Sequence, residues 1–373
     1  METEISHEEI ERRKEGYRRI WEYQRIDHIP VFIWIDDFSE YSLREQCENG
    51  DLQLEVASKT VKRCTRLLPD DYIPFVRVWP GYITIATMFG MEVYWYDDMQ
   101  APGVLGHIID NIEQVHGLGM PDPAEAGLMP HNLRFLEQAA RTFPSDVYLT
   151  GIDLGGPLNS ARDLVETNLL YTALVDSPDE MHMLLDLVTE LQARCTALIV
   201  EAAGGRARLT STDFDPVWAP EACKGFVSDD VCASFGPDIF ETYSLPYNNR
   251  LLRGFRGARF HNCGPNPSVH LYPAHDVQNM GLNCSFRYSR DDIPAFKEVF
   301  RQRGIVEFNF DNGEGAEEII AGYEEIANGL APDVAGVPVV FLDGAWKDDD
   351  IRALYDSLRG ISERYAASMD WSG

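Results

Sequence analysis

Short β-branched and aromatic runs alternate along this chain with longer stretches whose apolar residues recur at helical spacing. Runs of the first kind fall at Pro30–Ile35, Tyr72–Trp79, Val147–Ile152, Gly225–Ser228, Ala258–His261, Gly281–Ser285, Ile305–Phe310 and Val337–Leu342. Between and after them the amphipathic period predicts helices at Pro178–Ala203, Pro237–Arg253, Pro294–Gln302, Ala316–Ala327 and Asp348–Ala367. A further helix is expected over Leu128–Thr142, after a small hairpin and loop within Met88–Glu125, and residues 204–223 read as a loop insertion. Strands alternating with helices in this way are the pattern of parallel βα units. A charged first helix at Glu8–Tyr23, with Ile10, Tyr17, Ile20 and Trp21 on one side, precedes them.

Eight such units most simply close into an α/β barrel, a (β/α)8 or TIM barrel. The expected division is an N-terminal helical extension over residues 1–29 and a single barrel domain over 30–373. Polar residues cluster just past the strands: Asp36 and Asp37, Asp153, Asp229 and Asp230, His261 and Cys263, Asn309 and Asp311, and Asp343. In a barrel all of these gather at the C-terminal rim, where such enzymes place their chemistry. A doubly wound open sheet is the rival architecture, but no glycine-rich phosphate loop follows the first strand.

Composition narrows the partners. With 61 acidic against 32 basic side chains the formal net charge is −29, which repels nucleic acid and anionic membrane surfaces. No run reaches the ~18–20 apolar residues that cross a bilayer. The first residues lack the basic and apolar regions of a signal peptide, so a cytoplasmic location is expected. Seven scattered cysteines do not form a disulfide framework. Cys47, Cys64 and Cys195 fall in helical stretches and read as buried thiols, with Cys232 read the same way.

The segment His261-Asn-Cys-Gly264 carries the sharpest chemical signal. Strand side chains repeat every two residues, so His261 and Cys263 can turn toward one point, and imidazole with thiolate suits Zn²⁺. Cys284 lies 21 residues on, in the neighbouring strand, and Asp343 ends the last strand. Together the four form a tetrahedral set whose weak carboxylate could yield to substrate. Each has a plainer reading: a hydrogen-bonded rim histidine, a small buried apolar thiol at Cys284, and an Asp-Gly turn at Asp343-Gly344. Asp229 and Asp230 are candidate catalytic carboxylates that orient a substrate or accept a proton, the plainer reading being solvated loop acids. Asp36, Asp153 and Asn309 are candidate substrate-binding residues at the same rim.

Arg25-Ile-Asp-His-Ile-Pro30, Trp79-Pro-Gly81, Gly155-Gly-Pro157, and Ser228-Asp-Asp230 with Ser244-Leu-Pro-Tyr247 give the chain a further character. Over nearly its whole length it resembles the uroporphyrinogen decarboxylase superfamily. Within that superfamily, His261-Asn-Cys-Gly264 resembles the zinc-binding branch of coenzyme M and corrinoid-dependent methyltransferases. That branch takes its metal with a His-x-Cys pair, a further ligand, commonly Glu, and a late Cys. Here Cys284 and Asp343 stand near those last two places. The decarboxylases proper hold tetrapyrrole carboxylates with arginines at the first strand, where this chain reads Phe32-Ile-Trp-Ile-Asp-Asp37. A polyanionic porphyrinogen would be repelled there.

The resemblance implies a zinc-dependent methyltransferase that moves a methyl group between a small methylated compound, or a thiol acceptor, and a separate corrinoid protein. No Asp-x-His-x-x-Gly corrinoid motif occurs in the chain, so the cobalamin-type cofactor is expected on a partner. The partner set also admits a homodimer. A metal-free decarboxylase or lyase using Asp229, Asp230 and Asp153 is the alternative, and a non-catalytic binding protein for a corrinoid or tetrapyrrole the third.

Overall fold

In the computed structural model the described residues are 5–37, 40–311 and 313–371. Ten strands occur: β1 Phe32–Asp36, β2 Phe75–Val76, β3 Val93–Tyr94, β4 Gly103–Val104, β5 Tyr148–Leu149, β6 Gly225–Ser228, β7 Gly257–His261, β8 Asn279–Ser285, β9 Ile305–Phe310 and β10 Ala335–Asp343. Six of them form one curled parallel sheet in the order β1-β10-β9-β8-β7-β6. β2 and β5 pair in parallel with each other, and β3 with β4 makes the antiparallel hairpin expected within Met88–Glu125.

Of the expected eight-stranded barrel, six strands thus make a continuous curled half, and the other side is less regular. β2 and β5 keep only two ladder residues each. Residues 209–212, expected as loop, connect β5 to β6: Thr210 N–H donates to Leu149 C=O at 2.8 Å and Thr212 N–H to Lys224 C=O at 2.9 Å. Among the described residues no ladder joins β1 to β2; aromatic packing of Phe32 and Trp34 on Phe75 holds them, with ring centroids 5.7 and 5.5 Å apart.

Local chemistry explains the helices. Helix His7–Trp21 is capped by Ser6, which accepts the Glu9 N–H at 3.2 Å, and carries acids in its first turn and Arg18 and Arg19 in its last, complementing the helix dipole. Its buried face ties it to the barrel, with Arg13 donating to Tyr72 C=O at 2.7 Å. The single helix expected over Pro237–Arg253 is two, Pro237–Tyr243 and Leu245–Leu251, because Pro246 removes a backbone donor where they meet. Helix Gly50–Leu67 supplies bounds for the helical stretch in which Cys64 was expected. No described helix is long and apolar enough to cross a membrane.

Alternation along the long strands sorts side chains into two layers. Ala258, Phe260, Leu282, Cys284, Val306 and Phe308 are fully buried beneath the helices, Phe308 against Phe286 and Phe296. The alternate residues, Arg259, His261, Asn283, Glu307 and Asn309, face the barrel interior and contact one another. That inner face is polar at its centre.

Candidate metal centre

β6 and β7 end side by side, with Ser228 and His261 in register. The chain then turns sharply at each end. After β7, Asn262 accepts the Gly264 N–H at 3.0 Å through its side-chain oxygen. Gly264 adopts φ +110° and packs so close to Ser289 that a Cβ would lie 2.3 Å from its hydroxyl oxygen, so only glycine fits. Ser289 donates to the Cys263 carbonyl at 3.1 Å, and the Cys263 N–H donates to Asp230 Oδ1 at 2.7 Å. The His-Asn-Cys-Gly turn is thus fixed from both sides, and it delivers the Cys263 side chain next to His261.

Three ligand atoms converge there. His261 Nε2 lies 3.3 Å from Asp230 Oδ1 and 3.5 Å from Cys263 Sγ, and all three are within 4.8 Å of one another. Burial disfavours the His261 charge, but Asp230 and Cys263 more than reverse this and raise its pKa well above the usual value. Burial likewise opposes the Asp230 charge, yet His261 and the Cys263 N–H hold that carboxyl far below the ordinary range. Such a set of imidazole, thiolate and carboxylate matches a catalytic Zn²⁺ site, which uses three protein ligands and keeps one position open. The His261 ring is wedged against Phe214, edge-on at 5.3 Å, and Phe226, stacked at 6.3 Å.

Of the four ligands expected from sequence, the structure brings His261 and Cys263 together and leaves two outside. Cys284 is on the helix side of β8, because Asn283 next to it takes the inward place opposite His261. Burial pushes its thiol up, toward an inert apolar group. Asp343 is exposed and accepts the Ala345 N–H at 2.8 Å, the Asp-Gly turn reading. Asp230, expected as a catalytic carboxylate, stands at the third corner of the cluster.

Its neighbour Asp229 parts from it. Fully buried, Asp229 accepts from Asn159 N–H at 3.1 Å, Ser244 Oγ at 2.6 Å and Asn248 Nδ2 at 2.8 Å. Burial raises its pKa to about 6 despite these donors. It knits three segments together, joining Ser228-Asp-Asp230 to Ser244-Leu-Pro-Tyr247. Gly156 belongs to the same contact, since a Cβ there would meet Asp229 Oδ1 at 2.3 Å.

A cavity of about 220 Å³ opens beside the cluster, lined by Tyr82, Asp153, Arg162, Phe214, Asp230 and His261. Asp153 accepts the Gly155 N–H at 3.0 Å, and burial lifts its pKa to about 6. Asp36, at the end of β1, is lifted to about 7 by burial, with Arg77 pulling the other way. Asn309 does not reach the cavity wall; its amide donates to Asn283 Oδ1 at 2.9 Å, behind His261. Arg77 escaped the sequence reading, although a lone arginine in the apolar run Phe75-Val-Arg-Val-Trp79 was its signal. The guanidinium lies 4.0 Å from the Trp79 ring centre and 4.9 Å from that of Trp34. Asp213, buried beside Asp153, was missed as well; burial and then Asp153 raise its pKa strongly. A second set, Glu113, His116 and Glu180, lies at the surface, where ordinary ion pairing accounts for it.

Comparison with known proteins bears on the family and the fold. The uroporphyrinogen decarboxylase (URO-D) family matches residues 13–219. A solved methyltransferase from Methanosarcina mazei superposes with a TM-score of 0.68 at 18% identity, covering 93% of this chain and 98% of its own. A tryptophan synthase from Mycobacterium tuberculosis, at 13% identity over 63% of this chain and 88% of its own, reaches a TM-score of only 0.24. No curated protein matches the sequence.

Proposed function

Because the chain belongs to the uroporphyrinogen decarboxylase family, and three zinc-type ligands meet at one rim of its barrel, we propose that it is a zinc-dependent methyltransferase. It would move a methyl group between a small methylated compound, or a thiol acceptor, and a separate corrinoid protein. The carrying observation is the convergence of Asp230, His261 and Cys263 beside a cavity of small-molecule size. Likeness in fold to a methyltransferase supports the same reading.

Asp230, His261 and Cys263 would hold the metal. Zinc bound there would supply a lowered pKa to a thiol, or Lewis acidity toward an ether or alcohol oxygen. The chain's own residues do the rest. Phe214 and Phe226 shield the imidazole from water, Asp153 and Tyr82 face a substrate in the cavity, and Asp153, half-protonated near pH 6, can hold a proton there.

Purified protein should carry about one zinc per chain, and His261→Ala and Cys263→Ala should each lose both the metal and methyl transfer to a corrinoid acceptor. Elemental analysis decides; an unchanged metal content in both variants refutes the assignment. Asp36 and Asp153, with pKa values of about 7 and 6, favour one alternative, a metal-free lyase using carboxyl groups for proton transfer. Activity that survives exhaustive chelation would select it.

A further inference from the structure

Behind the metal centre runs a line of inward side chains: Arg259 on β7, Glu307 on β9, Asn283 on β8, and His261. Arg259 Nη1 donates to Glu307 Oε1 at 2.6 Å, Asn283 Nδ2 donates to Glu307 Oε2 at 2.9 Å, and His261 Nδ1 lies 2.7 Å from Asn283 Oδ1. Arg259, Asn283 and Glu307 are almost wholly shielded from water.

The direction of every bond in this line is forced. A guanidinium only donates, and a carboxylate only accepts. Glu307 must therefore receive from both sides, so the Asn283 amide points its NH2 at Glu307 and its oxygen at His261. That oxygen also receives the Asn309 NH2 at 2.9 Å. It leaves His261 Nδ1 one role, as donor. In the neutral ring, the form that binds a metal, Nε2 then carries the free lone pair, and Nε2 is the atom facing Asp230 and Cys263. We propose that Glu307, acting through Asn283, is the positioning residue that selects the metal-binding tautomer of His261. The inference rests on the zinc reading above and assigns these interior residues a role in it. Partners of this kind, bonded to the far nitrogen of a ligating histidine, commonly govern metal affinity 10–100-fold.

The decisive variant is Glu307→Gln. Arg259 cannot accept, so the new amide must turn its oxygen to Arg259 and its NH2 to Asn283. Asn283 then flips, presenting NH2 to His261, and the proton moves to Nε2. In Asn283→Asp/Glu307→Gln the Gln NH2 meets a carboxylate, which again accepts from Nδ1–H. Zinc affinity, measured by competition with a chromophoric chelator, should fall about 10–100-fold in Glu307→Gln and in Asn283→Leu. It should return most of the way in the double variant.

Asn283→Leu leaves the Arg259–Glu307 pair intact, so it reports even if Glu307→Gln fails to fold. Wild-type affinity in Asn283→Leu overturns the proposal. So does a double variant that is folded but binds no better than Glu307→Gln, since Glu307 would then act only by pairing with Arg259. If the wild-type protein itself binds no zinc, the functional reading falls and takes this inference with it. Tight wild-type binding with no response in the variants sinks the inference alone.

Discussion

Two arginines project into the same barrel from opposite walls, and their surroundings differ. Arg259, on the regular β6–β10 side, touches Asp215 and Glu307 directly and has no solvent exposure. Burial works against its charge, but the two carboxylates more than reverse that and raise its pKa. Arg77, on the β1–β2–β5 side, makes no ion pair among the described residues and lies against the rings of Trp34 and Trp79. There burial prevails and its pKa is lowered, with Asp36 and Asp153 acting only through space. A charge paired by contact serves the frame that holds His261. One left against aromatic faces lines a separate, small cavity with Trp34, Asp36 and Trp79.

The sharpest break between the two should come from removing each charge in turn. Arg259→Met leaves Glu307 and Asp215 buried without their cation, a loss that typically amounts to about 3–5 kcal/mol. Arg77→Met strands no contacting carboxylate and should lower stability by no more than about 2 kcal/mol, the range of the cation–π contacts it loses. Urea denaturation measures both; equal losses would erase the distinction. A variant of Arg259 that folds should also bind zinc weakly, because Glu307 is then free to turn.

The same contrast governed what could be read from sequence. On the regular side, Gly225–Ser228 and Ile305–Phe310 match their strands end to end, β9 being paired with both β8 and β10 and β6 being paired along its whole length with β7. On the other side Tyr72–Trp79 and Val147–Ile152 shrink to two ladder residues each. Gly81 and Gly151 let chains approach too closely for side chains there: a Cβ on either would lie 2.5 Å from Asp153 Cβ or the Thr212 carbonyl oxygen. The His-x-Cys pair was legible because its spacing is local. Cys284 was misplaced because distance along the chain was followed instead of strand parity, which sets Asn283 inward. Asp230 was singled out, but its place beside His261 and Cys263 depends on a turn that spacing does not encode. Arg77, Arg259 and Glu307 each interrupt an apolar strand run, a sign of an inward charge that went unused.

A smaller effect separates the two sides by pH. Asp36 titrates at about 7 in the folded chain, against about 3.9 for an unfolded aspartate. Its folded pKa is the higher, so the native state holds the proton that the unfolded state has released. Stability must then fall as pH rises from about 4 to 7, by up to about 1.4 kcal/mol per pH unit from this group. Asp36→Asn removes that slope, and melting temperatures across the window should show the variant gaining on wild type as pH rises. An unchanged slope would mean that the Asp36 carboxyl is not desolvated at the barrel mouth.

The smallest effect tests whether Arg77 acts at a distance. Burial raises the Asp36 pKa and Arg77 lowers it without an ion pair between them. Arg77→Met removes the opposing influence, so the Asp36 midpoint should move above 7, read from carboxyl ¹³C shifts in a pH titration. Asp153, which Arg77 also pulls down, should follow in the same direction. Arg259→Met, if folded, should leave both midpoints where they are, because Arg259 is not among the charges that act on either group. Movement of Asp36 in the Arg259 variant and none in the Arg77 variant would reverse the roles given to the two arginines.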